Sequence, residues 1–218
     1  MDLDAFTAQL AARRVVPVVS LDDAADAVGL AGALAEGGLP LVEVTFRTDA
    51  AADAIARIRA ERPDVLVGAG TVLDAATVDR AIEAGAEFLV APGYSPAVVA
   101  RAAERGVAML PGAVTPTEIE MAIAAGIHVV KFFPAEAAGG VPYIKAIAAP
   151  YRGVRFVPTG GVTAANLAEY LALPAVVACG GTWIAPAEAI AAHRWDAIRA
   201  AAAEAVTIAK TAALAGSR

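Results

Sequence analysis

Two charged residues stand inside runs that otherwise read as buried β-strands. Lys131 lies in IHVVKFFPAE, residues 127–136, and Glu43 lies in LVEVTFRT, which starts at residue 41. Lysine and glutamate almost never enter a protein interior unless paired or functional, because desolvating the charge is costly. Lys131 is also the single lysine in any predicted strand, since Lys145 and Lys210 fall in helical patterns. Alternation with a period of two puts Val42, Val44 and Phe46 on one face and Glu43, Thr45 and Arg47 on the other. The same parity in HVVKFF sends Val130 and Phe132 one way and Lys131 and Phe133 the other. With the apolar faces turned to helices, Glu43 and Lys131 point into a common interior. They could form a structural ion pair, which is weak evidence for stability because desolvation can exceed the Coulomb gain. The alternative is covalent chemistry. A desolvated lysine amine attacks a carbonyl carbon and forms a Schiff base, and a neighbouring carboxylate moves protons at the carbon next to the imine.

Two glycine pairs offer a different chemistry. PTGG holds Gly160 and Gly161, and CGGTW holds Gly180 and Gly181 followed by Thr182. Glycine lets backbone N–H groups approach an anion closely, so two such turns in the last two strand ends predict a phosphate site. In GAGT, Thr71 ends a strand, where a capping or turn role competes with ligand contact, and in APGYSP, Pro92 reads as a pocket wall. His128 begins its strand, away from the expected site, and reads as structural. Cys179 reads as a small buried apolar residue, and Trp183 and Trp195 as packing.

These residues need a scaffold, and the chain repeats one. Short apolar runs begin near residues 15, 41, 65, 87, 107, 128, 154 and 175, separated by helical patterns such as LDAATVDRAIEAGAE. Strands alternating with helices mean βαβ units and a parallel sheet. Eight units predict a (β/α)8 TIM barrel, an α/β fold, with an N-terminal helix. No Pro/Gly/Ser-rich linker divides the chain, so residues 1–218 are expected to form one domain. Active sites of such barrels lie at the C-terminal ends of the strands.

Composition narrows the classes. Hydrophobic residues make up 58% and charged residues 18% of the 218, a balance suited to a large core and not to disorder. A net charge of −6 argues against nucleic acid and requires local donors for any anion. One cysteine permits no internal disulfide, which fits a cytoplasmic location. The N-terminal MDLDAFTAQLAARR has acids where a signal peptide has bases. The longest uncharged run, 170–187, is broken by Pro174, Gly180, Gly181 and Pro186, so no membrane span is expected.

Together VEVTFRT, GAGTVL, VKFFPAEAAGG and PTGG resemble the class I aldolases of the Entner–Doudoroff type, which act on 2-keto-3-deoxy-6-phosphogluconate (KDPG) and 4-hydroxy-2-oxoglutarate (KHG). The resemblance covers nearly the whole chain. It implies a barrel, usually a homotrimer, that cleaves the phosphorylated keto acid to pyruvate and glyceraldehyde 3-phosphate. By matching motifs, Lys131 corresponds to the Schiff-base lysine and Glu43 to the general acid/base. Arg47 and Thr71 correspond to binders of the pyruvyl carboxylate, and Thr159 to a contact for the substrate hydroxyls. Gly160, Gly161, Gly180, Gly181 and Thr182 fall where the family holds phosphate. Some relatives acting on the galactonate epimer carry an arginine where this chain has Ser20, which leans towards the gluconate. The imine replaces a Lewis acid, so no cofactor or metal is expected. Two rivals share the glycine loops, an enolising phosphosugar isomerase and a non-catalytic phosphosugar-binding barrel. Neither needs a lysine inside the sixth strand.

Overall fold

Val-, Ile- and Leu-rich runs bounded by Gly and Pro satisfy their backbone by pairing side by side, and the helical segments between them cover the outer face. The computed structural model describes residues 1–216. Its strands are β1 Val15–Val19, β2 Leu41–Thr45, β3 Leu66–Gly70, β4 Phe88–Val90, β5 Ala108–Leu110, β6 Val129–Phe132, β7 Arg155–Pro158 and β8 Cys179–Gly181. The helices are α1 Leu3–Arg13, α2 Ala27–Glu36, α3 Ala51–Glu61, α4 Ala75–Glu83 and α5 Pro96–Glu104. They continue with α6 Pro116–Ala124, α7 Gly140–Ala148, α8 Leu167–Leu171, α9 Ala187–Ala191 and α10 Trp195–Gly216.

Parallel pairing runs β5-β4-β3-β2-β1-β8 in one sheet and β6-β7 in another. Single parallel bridges from Gly112 to Lys131, Phe156 to Val176 and Thr159 to Gly180 join the two pieces at both edges. The ring is thereby closed as the expected (β/α)8 barrel. Strands β4, β5 and β8 are shorter than the apolar runs that predict them, at three residues each. The run from residue 175 enters the ladder only at Cys179, with Val176 contributing an isolated bridge.

Two apolar layers follow from strand parity. Outward residues such as Val42, Val44, Val130 and Phe132 pack under the helices. Inward residues Leu41, Phe88, Leu110, Val129 and Val157 form a second cluster inside the barrel, completed by Phe6 and Leu10 of α1. Asp2 caps α1 by accepting from Ala5 N at 2.8 Å. Phe6 stacks on Phe88 with ring centroids 4.5 Å apart, and Met1 O accepts from Ala108 N at 2.9 Å. Helix α1 therefore plugs the N-terminal end of the barrel and leaves the opposite end to the loops.

Candidate active site

Strand β6 delivers Lys131 into the barrel with its backbone fixed on the β5 side. Its N–H donates to Pro111 O, and its carbonyl accepts from Ala113 N, both at 2.9 Å. Strand β2 delivers Glu43 from across the interior, and Lys131 Nζ lies 3.2 Å from Glu43 Oε1. The two residues are 5% and 2% exposed, so the pair is buried but sits just under a cavity. Glu43 fits because β3 presents glycine: a Cβ on Gly70 would collide with Glu43 Oε1. Register explains the closeness, since Glu43 pairs with Gly68 and Thr45 with Gly70, placing these residues on the same inward face.

The cavity above the pair has a volume of about 190 Å³. Lys131 and Phe133 form its base on the β6 side, with Nζ 5.6 Å from the Phe133 ring centroid. Arg47, Thr71 and Pro92, from the loops after β2, β3 and β4, line one wall. Thr71 holds φ 58, the left-handed region, where a β-branched residue is strained by about 1–3 kcal/mol. Such strain persists where the surroundings enforce it, and here it sets Thr71 on the cavity wall.

Thr159, Gly160 and Gly161 from the end of β7, with Gly181 and Thr182 from β8, line the other wall. The rim residues Arg47 and Thr182 are exposed, as suits groups that meet solute. Gly180, expected beside them, does not line this cavity. It is buried in β8 against Thr159, and a Cβ there would collide with Thr159 Oγ1. Its lack of a side chain makes room for Thr159, while the wall itself runs through Gly181 and Thr182. A Cβ on Gly181 would collide with the Trp183 ring, so Trp183 packs behind this turn.

Val18 and Val162 also line the cavity and escaped sequence reasoning, as valines carry no chemical signal. Gly112 lies behind the wall, where a Cβ would collide with Pro92 O. Gly70 was legible in principle, because strand parity puts both glycines of GAG on one face and Ala69 on the other, and register with β2 makes the glycine face the inward one. His128 is exposed and Cys179 buried, and neither lines this cavity. Burial pushes the Cys179 thiol far above its ordinary range.

The arrangement can form an imine on Lys131, shuttle protons through Glu43 and bind an anion at the glycine rim. Comparison with known proteins agrees with this geometry. The family model for the KDPG and KHG aldolases matches residues 6–201. The chain belongs to that aldolase family. A 2-dehydro-3-deoxy-phosphogluconate aldolase of Treponema pallidum is 54% identical over 187 residues, 86% of this chain and 89% of that protein. The KHG/KDPG aldolase of Escherichia coli is 44% identical over 90% of this chain and 92% of that protein. Among solved structures, the KDPG aldolase of Legionella pneumophila, with pyruvate captured at low pH as a covalent carbinolamine, superposes with a TM-score of 0.88. It is 38% identical and covers 90% of this chain, which spans 96% of it. A carbinolamine precedes an imine, so that relative forms the covalent adduct for which an amine like Lys131 is suited.

Proposed function

We propose that this chain is a class I aldolase that cleaves KDPG to pyruvate and glyceraldehyde 3-phosphate. The observation that carries the proposal is the buried Lys131–Glu43 pair, 3.2 Å apart, at the base of a cavity rimmed by glycine turns. Lys131 Nζ adds to the C2 ketone, and loss of water gives the iminium ion. The C3–C4 bond then breaks, its electron pair passing into the iminium to form an enamine as the C4 hydroxyl gives up its proton through water to Glu43. The C4 fragment leaves as the aldehyde. Glu43 returns a proton to C3, and hydrolysis of the resulting imine releases pyruvate and frees the lysine.

The rim divides by chemistry. Arg47 is assigned to the pyruvyl carboxylate, with Thr71 beside it, because a guanidinium pairs with carboxylate through two parallel hydrogen bonds. Thr159 is assigned to the substrate hydroxyls, and Gly160, Gly161, Gly181 and Thr182 to the phosphate. Pro92 and Phe133 shape the space between. The 42–54% identity to several 2-dehydro-3-deoxy-phosphogluconate aldolases favours the gluconate epimer. Identity to a KDPGal structure is 28%. Cleavage of KHG is the second reading, favoured by the 44% identity to the E. coli KHG/KDPG aldolase.

Incubation with pyruvate and borohydride tests the mechanism: a reduced pyruvyl adduct should appear on the peptide containing Lys131. An adduct confined to Lys145 or Lys210 would reject the assignment. No helix among the described residues is long and apolar enough to cross a membrane. We place the protein in the cytoplasm as a single-domain homotrimer, and light scattering at three times the chain mass is the check.

A further inference from the structure

The loop after β6 is tied to the glycine turn after β7. Ala135 N donates to Thr159 O at 2.8 Å, and Glu136 N donates to Gly160 O at 3.0 Å. A trans peptide sets its N–H opposite its carbonyl. With Gly160 O turned to Glu136, the Gly161 N–H points away from the β6 loop. Gly161 has φ 84, and a Cβ on it would collide with Glu136 Cγ, so the stem of Glu136 lies directly on Gly161.

Glu136 is exposed as a residue, yet its Oε1 accepts a hydrogen bond from the hydroxyl of Tyr170 on α8. Tyr170 is 0% exposed. Burial, together with the Glu136 carboxylate, pushes its phenol well above the ordinary range, so the hydroxyl stays a donor. Gly140, at the start of α7, leaves space for the pair: a Cβ there would stand 3.3 Å from Tyr170 Oη and 3.4 Å from Glu136 Oε1. A carboxylate free to swing beside an anion site would repel the anion.

We propose that Tyr170 and Glu136 are positioning residues for the phosphate end of the substrate. The tyrosine hydroxyl draws the Glu136 carboxylate aside towards α7 and α8, and the glutamate stem fixes the Gly160–Gly161 peptide. This rests on the phosphate assignment above. It is tested by comparing KDPG cleavage with exchange of pyruvate methyl protons, a reaction that involves no phosphate.

Tyr170→Phe should raise KM for KDPG by about five- to thirty-fold, the equivalent of 1–2 kcal/mol, and weaken competition by sulfate in parallel. Its kcat and its pyruvate exchange should stay at wild-type values. Adding Glu136→Gln to Tyr170→Phe removes the released charge and should recover most of the KM. Equal losses in cleavage and exchange, or no recovery in the double variant, would overturn the proposal. Should Tyr170→Phe not fold, the exposed Glu136 carries the test. Glu136→Gln keeps the acceptor for Tyr170 and should leave KM near wild type, while Glu136→Ala should raise it. Equal KM values in those two variants would also overturn it. Wild-type protein that neither traps pyruvate nor exchanges its protons would instead remove the aldolase reading itself.

Discussion

At the residue scale, two charges share the barrel interior, and only one of them forms a covalent bond in the proposed cycle. Glu43→Gln separates their roles, because the amide keeps the shape and loses the base. The variant should still be trapped on Lys131 by borohydride, while pyruvate methyl exchange slows by roughly 10²- to 10⁴-fold. Wild-type exchange in Glu43→Gln would move that proton transfer to another group. Thr182→Ala, on the exposed rim, should lower kcat/KM for KDPG by about ten- to 150-fold through loss of a hydrogen bond to a charged group. It should spare KHG, which has no phosphate, if that compound is cleaved. Equal losses on both would mean that Thr182 shapes the rim without contacting phosphate. Lys131 and Glu43 were legible in the sequence because charge inside a strand violates the burial rule. Val18 and Val162 were not, since a valine facing a ligand and a valine facing a helix look alike in a sequence.

At the scale of elements, all eight strands were legible from apolar runs, but their lengths were not. The runs at 87 and 107 leave the ladder after Val90 and Leu110, and the run at 175 enters it only at Cys179, limits that composition does not mark. Gly180 shows the same limit. A Gly-Gly pair signals close approach, but whether the approaching atoms belong to ligand or to Thr159 depends on register between β7 and β8. Helix α1 was expected, and its docking site was not. It gives an element-level prediction: Phe6, 1% exposed and stacked on Phe88, anchors the plug. Phe6→Ala should lower unfolding free energy by about 3–5 kcal/mol, measured by urea denaturation. A loss under about 1 kcal/mol would mean that α1 is not anchored there, since core truncations usually cost more.

At the scale of the whole molecule, paired and capping carboxylates near the surface contribute to the response to acid. Asp79 is held below the usual carboxylate range by its hydrogen bond to Arg101, with Arg105 adding to it, Asp64 by Arg62, and Asp74 by the Thr77 N–H that it caps. A depressed folded value adds stability that is present above the unfolded value, about 3.9, and is lost as pH falls through the folded one. The urea midpoint should therefore drop between about pH 5 and 3, and Asp79→Asn should flatten part of that drop. A midpoint that climbs over the same interval would contradict the sign. The plug at the N-terminal end has a consequence of another kind. A barrel sealed by Phe6 and Leu10 is a vessel with one mouth, and the covalent bond proposed for Lys131 would hold the pyruvyl half at its depth. In the proposed cycle the aldehyde departs first and the pyruvate last, so turnover is a queue with a fixed sequence. Product inhibition should record it: pyruvate should compete with KDPG for the empty enzyme, while glyceraldehyde 3-phosphate should inhibit noncompetitively. In the synthetic direction, pyruvate must enter before the aldehyde.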